Sequence, residues 1–180
     1  PKIHIEKDTK ARTLTVSDNG IGMNREELIA HLGSIATSGT AKLLESLAEK
    51  GAGDAPRLIG QFGVGFYASF MVADRVEVVS RRAGEDQAHV WESDGRTGFT
   101  VRAATAEDTA RLPSGRGCAV ILHMKSESAD FLFDEKIASV VRRYSDHIDI
   151  PVYVGDGAEP ANAATALWLR PKKDISTGQY

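Results

Sequence analysis

This 180-residue chain has one cysteine, three asparagines and no apolar run long enough to cross a bilayer. A lone thiol, Cys118, cannot close an internal disulfide, which excludes a small stapled scaffold and fits a reducing compartment. The missing apolar run excludes a membrane-spanning helix. Neither sign of charge dominates: 22 Lys and Arg face 25 Asp and Glu, for a net charge of −3. That leaves no electrostatic footprint for duplex DNA or for an anionic membrane surface. The five histidines (4, 31, 89, 123 and 147) show no metal-ligand spacing with Cys118 or with one another. No G-x-S-x-G elbow and no G-x-x-x-x-G-K-[ST] phosphate loop occurs. The opening "PKIHIEKD" is not a signal peptide. It begins directly in a strand pattern, so further sequence is expected upstream.

What is present is ordinary for a globular protein: 42% hydrophobic and 26% charged residues, enough for one domain with a core. Residues 2–17 predict a hairpin that turns near Asp8-Thr9-Lys10. "NREELIAHL" predicts a helix, with Asn24 as its cap and Glu27 completing a capping box. "SGTAKLLESLAEK" predicts a second helix, and "GAGDAPR" a loop. "IGQFGVGFYASFMVAD" is a glycine-rich turn that runs into a short apolar helix. The period then changes to two. "RVEVVSRR", "AHVWES", "GFTVRA" and "CAVILHMK" predict four strands at hairpin spacing, hence an antiparallel meander. "DEKIASVVRRYSDHI" predicts an amphipathic helix with Ile137, Val140, Val141, Tyr144 and Ile148 on one face. "IPVYV" is a last strand, and "GDGAEPANAA" has the small-residue composition of a linker. Helices early and strands late favour an α+β layer, with a mainly antiparallel sheet and helices on one face.

Two constellations carry chemistry. In "SDNGIGM", Asp18 falls where a strand should stop, followed by Gly20, Gly22 and Met23. The plain reading is a turn, since Asp-Asn-Gly is a good one. The functional reading is that Asp18 accepts a hydrogen bond from an exocyclic amine such as adenine's. The glycines would then let a flat ring approach, and Met23 would cover it. A dinucleotide fingerprint is a poor match, because its third glycine would fall on Arg25. In "GQFGVGF", Gly60, Gly63 and Gly65 precede a helix, and their unobstructed N–H groups make either an anion site or a tight turn. "GSIATSGT" has the composition of a mobile lid, or of a plain helix–helix connection. Cys118 opens an apolar strand as a packed thiol.

Taken together and in order, "SDNGIGM", "HLGSIATSGT", "LIGQFGVGFYASFMVADRVEV" and "VWES" resemble the ATP-binding domain of the heat-shock-protein-90 chaperones, in their bacterial form. The resemblance runs over essentially the whole chain. "DxGxG" alone would mark only the wider superfamily that includes gyrase B, MutL and the sensor histidine kinases. The resemblance implies an α/β sandwich of the Bergerat type, with a mixed, mostly antiparallel sheet backing a helical ATP pocket. It implies that Asp18 binds adenine, that Gly22 and Met23 line the base, and that His31 and Leu32 lie on the ribose side. Thr37, Ser38 and Gly39 would belong to the lid. Gly60, Gln61, Phe62, Gly63, Val64, Gly65 and Phe66 would wrap the phosphates, with Cys118 beside the aspartate. Thr37 stands where the family usually carries Lys, Cys118 where it carries Thr, and His31 where eukaryotic members have Asn.

The family's catalytic Glu and magnesium-holding Asn lie on one helix as E-x-x-x-N. That spacing is absent here, the only asparagines being Asn19, Asn24 and Asn162. No catalytic residue and no metal ligand is therefore expected within the chain. Residues 1–155 would form a nucleotide-binding domain, incomplete at its N-terminus, and residues 156–180 a linker and the start of a middle domain. The implied whole is a cytoplasmic, dimeric, ATP-driven chaperone of the stress response. It would use ATP or ADP with Mg2+, hold client proteins, and dimerise through regions outside this chain, with no nucleic acid or membrane partner. Two other functions compete with this one: a binding module that turns nothing over, and a DNA-acting ATPase of the same superfamily.

Overall fold

A computed structural model describes residues 1–33 and 64–163. Seven strands make one sheet: β1 (Ile3–Asp8), β2 (Thr13–Asp18), β3 (Ala73–Arg81), β4 (His89–Ser93), β5 (Phe99–Ala103), β6 (Gly117–Met124) and β7 (Val152–Val154). Their order across the sheet is β5-β4-β3-β6-β2-β1-β7. Every neighbouring pair is antiparallel except β1 and β7, which run parallel. The mixed, mostly antiparallel sheet of the α+β expectation is therefore present.

The helical pieces are short. α1 (Arg25–Leu28) passes directly into a π-helical turn (Ile29–Gly33). α2 (Val64–Tyr67) and α3 (Ser69–Val72) lead into β3, and α4 (Ala106–Thr109) follows β5. A 3₁₀ segment (Ser126–Leu132) precedes α5 (Asp134–Ser145), the longest helix among the described residues. The expected cap of α1 is formed. The Glu27 N–H donates to Asn24 Oδ1 at 3.0 Å, and the Asn24 N–H donates to Glu27 Oε2 at 3.0 Å. The second helix predicted over "SGTAKLLESLAEK" and the loop "GAGDAPR" lie outside the described residues.

Two expectations need correction. The meander holds for β3, β4 and β5 but not for β6. That strand crosses back and inserts between β3 and β2. The reason is burial: Ala119, Ile121, Leu122 and Met124 are all buried, on both of its faces, whereas β5 is half-exposed. A strand apolar on both sides belongs in the middle of a sheet. The second correction concerns α5. Ile137 and Val141 are buried against Ile3, Ile5 and Val152, with Ile148 packed beside them. Val140 and Tyr144 are exposed, Tyr144 by 71%. The three-residue β7 and its neighbours offer a narrow floor, which Ile137 and Val141 fill.

The main core lies between the sheet and the helices. Leu28, Leu32, Val76, Val78, Trp91, Leu122 and Met124 form it, with Phe66 and Phe70 packed on it. Trp91 stacks on Phe99 at 6.0 Å and meets the Phe66 edge at 5.4 Å. A smaller cluster on the opposite face gathers Val79, Val90, Ala119 and Ile121 with Leu112, just past α4. Beside it, β3 and β4 place Glu77 directly opposite Glu92. Arg75 bridges the two carboxylates at 3.1 and 3.2 Å, and His123 Nε2 meets Glu77 Oε1 at 2.6 Å. Like charges in register would repel without that cation. After β7 the chain turns back. Buried Asn162 accepts from the Val152 N–H at 2.9 Å and donates to Ser145 O and Ile150 O at 3.1 and 3.0 Å.

α4 carries a second capping box, which generates a pH prediction. Asp108 Oδ2 accepts from the Thr105 N–H at 2.9 Å, and the carboxylate takes both Arg102 nitrogens, at 2.6 and 3.2 Å. The Arg102 guanidinium, then the Thr105 N–H and hydroxyl, hold the Asp108 carboxyl below the usual carboxylate range. A carboxyl depressed in the folded state contributes stability above its unfolded pKa, near 4, and loses it as pH falls towards the folded value. Asp108→Ala should therefore cost about 1–2 kcal/mol at pH 7. The deficit should shrink as pH is lowered from 5 to 2, measured by urea unfolding. A deficit that does not change with pH would mean that the carboxylate charge plays no part.

Candidate functional site

Register places the site. Across the sheet, Ala103 pairs with His89, His89 with Ser80, Ser80 with Cys118, Cys118 with Asp18, and Asp18 with Ile3. Directly opposed residues share a face. Asp18, Cys118, Ser80 and His89 therefore form a polar row on the helical side of the sheet. One row inward, the same face carries Trp91, Val78, Val120, Val16 and Ile5. The core thus ends abruptly in four polar side chains, at the end of the sheet where β2 leaves it.

Residues 19–24 fold over this row and are fastened at several points. The Gly20 N–H donates to Asp18 Oδ1 at 2.8 Å, so the turn reading of Asp-Asn-Gly is correct as far as it goes. The Lys2 N–H donates to Asn19 Oδ1 at 2.8 Å, and the Ala83 N–H to Ile21 O at 2.7 Å. The Met23 N–H donates to Ser80 Oγ at 2.7 Å. Beyond Met23, Arg82 pairs with Glu27, and Asn24 Nδ2 donates to Glu85 Oε1 at 3.2 Å.

Gly22 is required by this fastening. Its φ is +70°, and a Cβ there would sit 2.0 Å from Arg81 O and 3.0 Å from Gly117 O. Gly117, at φ +99°, is the reciprocal case, with a Cβ position 2.1 Å from Asp18 O. The missing side chains let the loop backbone lie against β3 and β6. Room for a ring is not what the Cβ direction of Gly22 provides.

The electrostatics follow from the row. Ser80 is fully buried, and its Oγ lies 3.1 Å from Gly117 O and 3.2 Å from Cys118 Sγ. A serine hydroxyl has one proton and two acceptor sites. Donating to Gly117 O leaves it to accept from the Met23 N–H and from the Cys118 S–H, an arrangement that satisfies all four groups. Burial pushes the Cys118 thiol up to about 11; the Ser80 hydrogen bond opposes the shift and the nearby Asp18 charge adds to it. The thiol stays protonated at neutral pH. Asp18 is half-buried, with Oδ1 engaged by Gly20 and no donor on Oδ2 among the described residues. That free carboxylate oxygen, at the rim of an apolar core, suits a ligand N–H.

The other predicted site residues are placed as follows. Met23 is half-buried against the main core, and Leu32 is buried in it. His31 is exposed on the π-helical turn. Val64, Gly65 and Phe66 begin α2; Gly65 is exposed, and Phe66 packs on Trp91 and Phe70. Thr37, Ser38, Gly39, Gly60, Gln61, Phe62 and Gly63 lie outside the described residues. Among the described residues no cluster of His, Cys, Asp and Glu could hold a metal ion. No helix there is long and apolar enough to cross a membrane. Sequence reasoning passed over Ser80, Asn19, Arg82 and Gly117. A signal for Ser80 was present: in "VEVVS" the inward positions run Val76, Val78, Ser80, an apolar alternation ending on a hydroxyl.

Comparison of the sequence with known proteins gives the family. Residues 2–107 match the family described as "Histidine kinase-, DNA gyrase B-, and HSP90-like ATPase". The chain belongs to this ATPase family. It is 50% identical over 185 residues to "Chaperone protein HtpG" of Rhodospirillum rubrum and 49% identical over 181 residues to the protein of that name from Methylobacterium nodulans. The Bordetella avium protein of the same name is 47% identical over 192 residues. Each alignment covers 99% of this chain, which spans only 28–29% of the length of these relatives.

The raised thiol has a measurable consequence. At pH 8 Cys118 should alkylate with iodoacetamide roughly ten- to a hundredfold more slowly than a free cysteine of pKa near 8.5. Its rate should keep rising with pH up to about 11. A rate that levels off near pH 8.5 would contradict the buried, hydrogen-bonded thiol.

Proposed function

We propose that this chain is the ATP-binding domain of an ATP-dependent molecular chaperone, with Asp18 reading the adenine amine. The observation that carries this reading is the half-buried Asp18, whose Oδ1 is held by the Gly20 N–H while Oδ2 has no donor among the described residues. A fixed acceptor beside an apolar wall fits the amine edge of a purine. Met23, partly buried against the main core, would supply adaptable surface for the ring. His31 and Leu32 would lie on the ribose side, and Cys118 beside the aspartate. The lid (Thr37, Ser38, Gly39) and the phosphate loop (Gly60 to Phe66) complete the site in this reading.

The relatives are named as chaperones, and this supports assigning the domain to a chaperone cycle. In that cycle ATP binding and hydrolysis would drive the opening and closing of a cytoplasmic dimer on client proteins. Residues 1–155 would be its nucleotide domain and residues 156–180 a linker and the start of a middle domain. Bound nucleotide supplies the phosphoanhydride whose cleavage powers the cycle. Hydrolysis needs a group that positions water and a metal that neutralises developing charge. In this family a Glu and an Asn spaced E-x-x-x-N serve those ends, with Mg2+, and residues 1–180 contain no such pair. Glu27 is no substitute. The Asn24 N–H and the Arg82 guanidinium claim its carboxylate and lower its pKa.

Two measurements test the proposal. A hydrogen bond to a charged group contributes roughly 1.5–3 kcal/mol. Asp18→Ala in the full-length gene product should therefore weaken ATP and ADP alike, by about ten- to a hundredfold, in calorimetric titrations. Undiminished ADP binding by that variant would remove Asp18 from the site. Residues 1–180 alone should release no phosphate from ATP above background. Release that disappears with Asp18→Ala would place the hydrolytic group inside this chain and overturn the division of labour.

A further inference from the structure

Ser80 occupies the inward position that Val76 and Val78 fill with methyl groups further along β3, and it is wholly buried. A hydroxyl is costly there unless its bonds are made. All of them are: it accepts from the Met23 N–H at 2.7 Å, lies 3.1 Å from Gly117 O as donor, and meets Cys118 Sγ at 3.2 Å. The Met23 N–H belongs to the peptide that follows Gly22, the residue pressed on Arg81 O and Gly117 O. Ser80 thus sets how deep the loop sits on the sheet. At the loop's other end the Gly20 N–H grips Asp18 Oδ1 at 2.8 Å, so a shift of the loop turns the carboxylate.

We infer that Ser80 is a positioning residue for base recognition, which aims the Asp18 carboxylate by holding the Met23 N–H. This deepens the reading of Asp18 as the acceptor of the adenine amine and rests on it. Replacing Ser80 by Ala leaves the Met23 N–H without its acceptor and Gly117 O without its donor. The loop then rides higher, and the carboxylate loses its fixed direction. The effect falls on the amine contact and spares the rest of the nucleotide.

The test compares ADP with IDP, whose base has an oxygen in place of the amine, by calorimetry on the full-length gene product. The parent should prefer ADP. Ser80→Ala should weaken ADP about three- to tenfold, as for a lost neutral hydrogen bond, and leave IDP within twofold, so the preference narrows. Asp18→Ala should abolish the preference. In the Asp18→Ala background Ser80→Ala should then change ADP affinity by less than twofold, because both act through one contact. Ser80→Cys, close in volume but a weaker hydrogen-bonding group, should narrow the preference too, and it carries the comparison if the alanine variant does not fold. In the parent, the Met23 amide should be strongly protected from hydrogen exchange. A preference untouched by Asp18→Ala overturns the adenine reading and this inference with it. A preference that collapses with Asp18→Ala but survives both Ser80 variants, or a rapidly exchanging Met23 amide, overturns the role of Ser80 alone. So does an Ser80→Ala effect that persists at full size in the Asp18→Ala background.

Discussion

The close approach of the loop 19–24 to the ends of β3 and β6 is the constraint on which the site depends. It exists because two positions have no Cβ. Gly22 faces Arg81 O, Gly117 faces Asp18 O, and a methyl at either would collide with backbone that the sheet cannot move. Backbone pressed this close brings its N–H groups within reach of side chains that would otherwise be sealed beneath it. The Met23 N–H finds Ser80, and the Gly20 N–H finds Asp18. The acid at the strand end is therefore both a turn residue and a candidate ligand group. One oxygen serves each use.

Much of this was legible in the sequence, for reasons that differ by element. The hairpin of β1 and β2, the capping box at Asn24 and the strand segments depend on local patterns a few residues long. These are the patterns that alternation and capping rules describe. The position of β6 was not legible. Hairpin spacing suggests that each strand pairs with the one before it, and only burial on both faces, seen once the sheet is assembled, explains its central place. The buried face of α5 was read too widely because periodicity gives the direction of a stripe but not how much floor lies beneath it.

The candidate site divides in the same way. Asp18 could be singled out because an acid followed by Gly-x-Gly is conspicuous in one dimension. Ser80 shows in the sequence only as a hydroxyl that ends an apolar alternation; its meaning comes from Cys118 and Met23, which are remote in sequence and adjacent only in the assembled fold. The glycines stood out as room for the approach of a flat ring. What approaches at Gly22 is the protein's own backbone. A row of four polar residues at the end of an apolar sheet is a property of register alone, and no single strand displays it.

The order in which the strands are joined bears on how the chain is made. β2 has β1 on one side, but its other neighbour is β6, so Leu14 must wait for Leu122. β1 waits longer still, because its outer partner β7 and the covering residues of α5 come near the end of the described chain. During synthesis, the β1–β2 hairpin emerges ahead of β6, β7 and α5, described elements that flank Ile3, Ile5 and Leu14. β6 begins only at Gly117 and β7 at Val152. Apolar strands that await their partners are prone to pair with the wrong chain. β1 and β2 thus take their outer partners from far along the described chain, and pairing at such long range is slow and open to aggregation.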